Sequence, residues 1–349
     1  QAVGSRQLLE GARNVEFKFG TTLYGLGVTP AADTQAEANA MTDLMEYALG
    51  GAHYSNTTEV TGGTALEPEV DDVTNIAVGQ LIMFEDTTTP AKVNQTYWRK
   101  VVAIDALALT LDCALPFTPA AGDNVYGVGT FYIDEEILET AVANNKTLSW
   151  YIKRHPTDPH MTWEARGCVH SMAISAIERN APPKLDFTVM GGNYKFSAED
   201  GLDNVTFATP QFGYAPLASP RCTMLITDAS GTTLATYPIS SYALDLGTGR
   251  APVNTITETI NTFAGLHDYT IKLRNTELTV VIPSISAQWY AAIKSGTAFN
   301  ATLYQGSKGA GKSWCVHLRD CELVETPSIQ EVDEALGVLG RRPRLLENP

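Results

Sequence analysis

Charge is scarce in this chain, and positive charge scarcer still. Only 18% of its 349 residues are charged, and 24 Lys and Arg stand against 39 Asp and Glu, a formal net charge of −15. Gripping a nucleic acid requires cations to replace phosphate counterions, so this balance argues against adhesion to DNA or RNA. It does not argue against proximity, because an acidic wall repels phosphate and lets a polyanion slide past. Cysteine is sparse as well. Cys113, Cys168, Cys222, Cys315 and Cys321 form an odd, scattered set without a C-x-x-C spacing. That excludes a disulfide scaffold and fits reduced, mostly buried thiols of a protein assembled in a cytoplasm. No run of about 20 apolar residues is present to cross a bilayer. Gln1-Ala-Val-Gly has no basic stretch ahead of an apolar core, so no signal peptide is read. The missing initiator Met points to processing or to a segment ahead of residue 1. A G-x-S-x-G nucleophile elbow is absent too.

What is present is an ordinary core. With 44% apolar residues, a chain of this length can bury roughly three quarters of its unfolded surface. Length suggests two domains with a smaller third. The strongest helix signal covers residues 35–49, where Ala38, Met41, Leu44, Met45 and Ala48 recur at helical spacing behind a cap at Asp33 or Thr34. Gly50-Gly51 closes it. A second helix is read at 286–294, ending at Gly296, and a third short one at 131–144. Strand patterns cover 15–19, 147–153, 161–178 (with Gly167 as a bulge), 185–190, 222–226, 237–246, 268–274, 278–282, 298–304 and 313–324. The order strand, helix, strand, strand in the C-terminal half repeats more loosely in the N-terminal half, which predicts a mainly β fold with a duplicated module.

Residues 56–69 read as loop. Short strands follow at 76–84, 97–104, 107–111 and 124–128, separated by Gly, Asp and Pro turns, the pattern of a small β-barrel. The predicted domains are therefore a discontinuous first module (1–65 and 129–205), an inserted barrel (66–128), a linker (206–220, within a Gly/Pro-rich stretch 193–220) and a second module (221–349).

No catalytic, cofactor or metal site emerges. Gly306-Ser-Lys-Gly-Ala-Gly-Lys-Ser313 matches the phosphate-cradling pattern G-x-x-x-x-G-K-[ST]. That chemistry needs a helix opening at its end, whereas Val316, Leu318 and Leu323 follow at a strand-like period. The stretch reads as a hairpin loop, on which Lys308 and Lys312 can meet an acidic neighbouring subunit. His155 and His160 flank Asp158 in a turn and lack a third spaced ligand. The acids Glu67, Glu69, Asp71 and Asp72 lack the alternation and Gly of a Ca²⁺ loop. Glu135 and Glu136 are adjacent on a helix and diverge. His170 and His317 sit in strand patterns as structural residues, and Cys315 and Cys321 at even spacing share one strand face.

Residues 162–191 and 268–339 resemble the tail tube proteins of long, flexible-tailed (siphophage-type) bacteriophages. The likeness rests on the strand at 278–282, the helix at 286–294 and the hairpin at 305–324. It also rests on the strand pair 167–177 and 185–191, and on the closing segment 326–337. Residues 56–130 lie outside it. The resemblance implies tandem β-sandwich modules, each flanked by a short helix. It implies a non-enzymatic virion protein without cofactors that self-associates into rings, trimeric for a two-module chain or hexameric otherwise. Rings would stack with other tail proteins into a conduit for DNA ejection, with an acidic lumen and the inserted barrel outside. Assembly would take place in the host cytoplasm, with no membrane span. The alternatives are another virion β protein (a tail terminator or decoration protein), a nucleotide-binding protein using Gly306–Ser313, and a glycan-binding tail-tip module presenting Tyr97 or Trp98.

Overall fold

The computed structural model describes residues 15–23, 40–87, 96–134, 147–154, 161–176, 183–197, 222–254, 266–271, 276–282, 286–306, 313–323, 328–330 and 334–341. The chain opens with strand β1 (Val15–Thr22), helix α1 (Ala40–Leu49) and β2 (Gly50–Tyr54). Six strands follow: β3 (Thr58–Gly63), β4 (Pro68–Val70), β5 (Leu81–Glu85), β6 (Thr96–Asp105), β7 (Ala108–Leu111) and β8 (Asn124–Tyr126). They close into a barrel in the order β3-β4-β7-β6-β5-β8. Its core is Val60, Val70, Ile82, Phe84, Val101, Leu109, Leu111 and Val125 with their neighbours. The chain leaves the barrel through β9 (Gly129–Ile133), which pairs antiparallel with β2 from Gly50↔Ile133 to Tyr54↔Gly129. The barrel thus stands on a two-stranded stalk that grows out of the end of α1.

Three longer strands complete this half: β10 (Leu148–Arg154), β11 (Met161–Ala176) and β12 (Lys184–Ser197). The second half holds β13 (Cys222–Asp228), β14 (Thr233–Pro238), β15 (Ser241–Asp245), β16 (Arg250–Asn254), β17 (Leu266–Ile271) and β18 (Glu277–Ile282). After helix α2 (Ala287–Lys294) come β19 (Phe299–Gly306), β20 (Ser313–Leu323), β21 (Ser328–Gln330) and β22 (Glu334–Arg341). Twelve strands join one sheet in the order β1-β12-β11-β15-β18-β22-β20-β19-β13-β14, with β10 against β11 and β21 against β22. Strands from both halves therefore share one ladder system.

That sheet curls around one core. Leu185, Phe187, Met172, Ile174, Leu244, Leu278 and Val280 enter from one stretch of it, and Met224, Ile226, Phe299, Ala301 and Leu303 from the other. Tyr242 on β15 reaches across: its ring lies 5.7 Å from Trp314 on β20, and its hydroxyl donates to Gln305 Oε1 at 3.2 Å. β15 and β20 are not neighbours in the sheet, so two layers face each other here. The chain changes layer after Pro238, which cannot donate to a continuing ladder. Ile239 N–H still bonds Cys222 O, while Ser240 N–H bonds Val281 O. α2 closes the second half. Ser286 caps it, its Oγ accepting from Trp289 N–H at 3.1 Å, and the Trp289 ring is held between Tyr237 and Phe299 at 5.5 and 5.7 Å.

Several sequence expectations need correction. Within residues 56–69, read as loop, the chain forms β3 (Thr58–Gly63) and most of β4 (Pro68–Val70) of the barrel. Residues 76–80 turn before β5 begins at Leu81, with Asn75 and Gly79 at φ 62° and 95°. Residues 131–133 end β9 rather than start a helix, and the rest of 131–144 beyond Asp134 lies outside the described residues. Residues 193–197, the start of the Gly/Pro-rich stretch, continue β12. The strand expected at 237–246 is split into β14 and β15 by the layer change. The bulge at Gly167 is present, with φ 59° and a register shift between Arg166 and Val169.

Candidate functional surface

One face of strands β1, β12, β11, β15 and β18 turns away from the core, and its residues follow from register alone. Side chains directly opposite one another on paired strands share a face. Gly20 pairs Asp186, Asp186 pairs Ala173, and Ala173 pairs Asp245. Asp245 then pairs Glu277, Glu277 pairs Gly340, and Gly340 pairs Glu322. Four carboxylates, Asp186, Asp245, Glu277 and Glu322, therefore stand in one row across the sheet, separated only by small residues. Asp186, Asp245 and Glu277 are exposed and Glu322 is half-buried. Adjacent strands lie about 4.8 Å apart, so the carboxylates recur at roughly 5 and 10 Å along the row.

The neighbouring row, Thr22, Lys184, Ser175, Ala243, Thr279 and Val338, is almost entirely uncharged. Among the described residues, the basic groups on this face, Lys18 and Lys184, are confined to the β1–β12 end, where Lys18 lies 4.0 Å from Glu16. Gly20 leaves room for the Asp186 carboxylate, whose Oδ1 would lie 2.8 Å from a Cβ there. The two rows make a polar surface with one acidic stripe. Neither row holds an aromatic side chain or a basic cluster on which a nucleic acid could settle.

Like charges directly opposite on a sheet destabilise it, so the Asp245–Glu277 pair is a cost carried by the fold. Glu277→Gln is expected to raise stability by about 0.5 kcal/mol at low salt, an increase of about 1 °C in melting temperature. The gain should vanish at 1 M salt, where the Debye length shrinks to about 3 Å. Calorimetry at two ionic strengths checks it. Glu277 is the better target, because Asp245 Oδ1 also accepts from Gly247 N–H at 2.9 Å.

The residues singled out by sequence are dispersed. Gly306 pairs with Ser313 across a hairpin, and β20 begins at Ser313, so no helix N-terminus follows the phosphate-loop pattern. Ser313 Oγ instead accepts from Trp98 Nε1 at 2.9 Å and donates to Gln305 O at 3.1 Å. Lys308, Lys312, His155, His160, Glu135 and Glu136 lie outside the described residues. Glu67, Glu69, Asp71 and Asp72 are exposed on the barrel, and the described residues hold no cluster of His, Cys, Asp and Glu arranged for a metal. No cysteine forms a disulfide. Cys315 and Cys321 do not share a face: Asp320, at φ 52°, breaks the alternation. Cys321 enters the main core, whereas Cys315 packs with Met83, Trp98 and Tyr304. Burial pushes the thiols of Cys113 and Cys168 up to about 12, which keeps them protonated and unreactive.

Both strand histidines are structural and buried. His170 Nε2 accepts from Trp150 Nε1 at 2.8 Å, which places the proton of the neutral ring on Nδ1. Burial and then the nearby Arg250 hold its pKa down to about 4. His317 Nδ1 lies 2.9 Å from Thr302 Oγ1 and 3.9 Å from Asp112 Oδ2. Burial, Lys100 and Arg319 hold it down to about 3. Tyr97 is buried and Trp98 is engaged with Ser313, so neither is the exposed platform that glycan binding would need. The chain matches no family model, and no curated protein matches it significantly.

Proposed function

We propose that this chain is a tail tube subunit of a long flexible-tailed phage: a structural, non-enzymatic virion protein that forms stacked rings around a DNA conduit. The observation that carries the reading is a repeated connectivity. In the first half, β1 pairs β12, β12 pairs β11 and β11 pairs β10, all antiparallel, with α1 between β1 and β10 in the chain. In the second half, β18 pairs β22, β22 pairs β20 and β20 pairs β19, all antiparallel, with α2 between β18 and β19. Each is a strand–helix–strand–strand–strand unit with the same spatial order (the short β21 aside). The two are fused through β11–β15 and β15–β18 into one sheet.

Two tandem modules in one sheet are adjacent staves of a cylinder, and three such chains would complete a pseudo-sixfold ring. Ring closure would also cover exposed sheet edges such as that of β1. The acidic row then faces the lumen, repelling the phosphates of passing DNA. The inserted barrel packs against the far layer, β19 and β20, and lies outside. Negative-stain microscopy of the purified protein across a concentration series tests the reading. Hollow stacked rings are expected. Single rings that never stack would favour a tail terminator instead, and dispersed particles at every concentration would reject the tube.

A further inference from the structure

We infer that the inserted barrel is a brace that locks the two halves of the chain at a fixed angle, not a freely carried decoration. The direct ladder between the halves is short. Among the described residues, four pairs, from Ala173↔Asp245 to Ala176↔Tyr242, join β11 to β15. A ladder of that length sets the separation of two bodies, but it leaves rotation about its axis to be resisted by side-chain packing, as in a hinge. A second attachment away from that axis removes the rotation, and the barrel supplies one.

Its root belongs to the first half and is stiff. Besides the β2–β9 stalk, Ser55 N–H bonds Val128 O, and Val128 N–H and Gly127 N–H bond the hydroxyls of Ser55 and Thr57 at 3.1 and 3.0 Å. His53 Nε2 lies 2.8 Å from Asn75 O. Gly127 is pressed so closely on this joint that a Cβ would sit 2.4 Å from Ser55 O. Next to this root, the barrel is also fastened to the second half. Met83, Trp98 and Val128 form a satellite apolar cluster with Tyr304 and Cys315 of β19 and β20, separate from the barrel's own core. The Trp98–Ser313 hydrogen bond crosses this contact. The β13–β14 turn meets the barrel's 112–113 segment so tightly that a Cβ on Gly231 would lie 2.2 Å from Asp112 O. A polar edge completes it, with the buried side chains of His317 and Asp112 3.9 Å apart and half-buried Lys100 in the field of exposed Arg319 and Asp320. The barrel therefore spans from one half to the other by a path independent of the β11–β15 ladder. This inference does not depend on the tube reading.

Hydrogen exchange with mass-spectrometric readout on the full chain tests it, using one variant on each side of the contact. Trp98→Ala removes the anchor without touching the barrel core. Ser313→Arg leaves the barrel sequence intact and wedges the contact from β20. The brace predicts at least tenfold faster exchange at the seam amides of residues 173–176 and 242–245 in both variants. Peptides from the barrel core strands β3, β5 and β7 should keep wild-type protection. If Trp98→Ala also loosens those barrel peptides, Ser313→Arg decides. Wild-type seam protection in Ser313→Arg, with faster exchange confined to β6, β19 and β20, overturns the inference.

Discussion

Reversing the acidic row with Asp186→Lys, Asp245→Lys and Glu277→Lys is expected to turn a face without affinity for duplex DNA into one that holds it. The wild-type face offers phosphate a stripe of like charge and should show no measurable duplex binding at physiological salt. The triple variant replaces three anions with three cations on each chain and concentrates the change on one surface. Non-specific affinities of this electrostatic kind are on the order of 10⁻⁴ to 10⁻⁶ M and fall steeply with salt. Anisotropy of a labelled duplex at several salt concentrations reads this directly. The fold should tolerate the change, because a pair of lysines facing each other across β15 and β18 would repeat the like-charge opposition that Asp245 and Glu277 already carry.

Binding alone would not locate the row, so a control is needed. Glu67, Glu69 and Asp71 are exposed on the barrel, and their reversal makes the same charge change at a site that the proposed tube would leave on its exterior. Particles assembled with a short duplex and then treated with nuclease separate the two. The row variant should protect its DNA, and the barrel variant should not. Equal digestion in both would show that the acidic row does not line an enclosed channel. It would leave the barrel's bracing role untouched.

The acidic row also marks where sequence reading runs out. Alternating patterns such as Leu185–Phe187–Val189 and Leu278–Val280–Ile282 are visible in the sequence, and they already say that Asp186 and Glu277 point away from the core. They do not say that Asp186, Asp245, Glu277 and Glu322 fall in one line, because a one-residue slip in any pairing would redistribute them. Gly340 shows the difficulty. It lies in a C-terminal segment with little strand signal, yet β22 sits in the middle of the sheet and sets the spacing between Glu277 and Glu322. The barrel was legible as short strands between turns, but its start was not. Thr58–Gly63 combines Thr, Val and Gly in a run too polar to stand out, and its burial comes from closure with β4 and β8 rather than from its own pattern. Local rules likewise placed Cys315 and Cys321 on one face. A bulge at Asp320, just before Cys321 pairs with β19 on one side and β22 on the other, moved them apart. Such switches arise from tertiary pairing and leave only a weak trace in sequence. The brace was invisible for the same reason, since Trp98 and Ser313 are 215 residues apart.

Acidification is expected to weaken the fold well above the range in which ordinary carboxylates titrate. His170 and His317 are buried neutral, held down to about 4 and about 3, against about 6.5 for an unfolded histidine. Between those values the unfolded chain binds more protons than the folded one. Stability is therefore fully present above pH 6.5 and declines as pH falls toward 4. Each pK unit corresponds to about 1.4 kcal/mol, so the pair can withdraw several kcal/mol by about pH 4. Asp43 and Asp112, raised chiefly by burial, act in the opposite sense. They gain protons in the folded state first and offset part of the loss. Melting temperature by circular dichroism should be flat from pH 7.5 to 6.5 and then fall steeply toward pH 4.5. His317→Gln, which keeps a polar group near Thr302 and cannot titrate, should flatten that slope even if it lowers stability at neutral pH. Because His317 lies in the contact between barrel and β20, its protonation would add a buried cation near half-buried Lys100 and exposed Arg319, with Asp112 as the close counter-charge. Amides of β20 and of β11, the strands that carry the two histidines, should both lose protection as pH falls. A single cooperative transition with no slope between pH 6.5 and 4.5 would mean that neither histidine is held neutral by the fold.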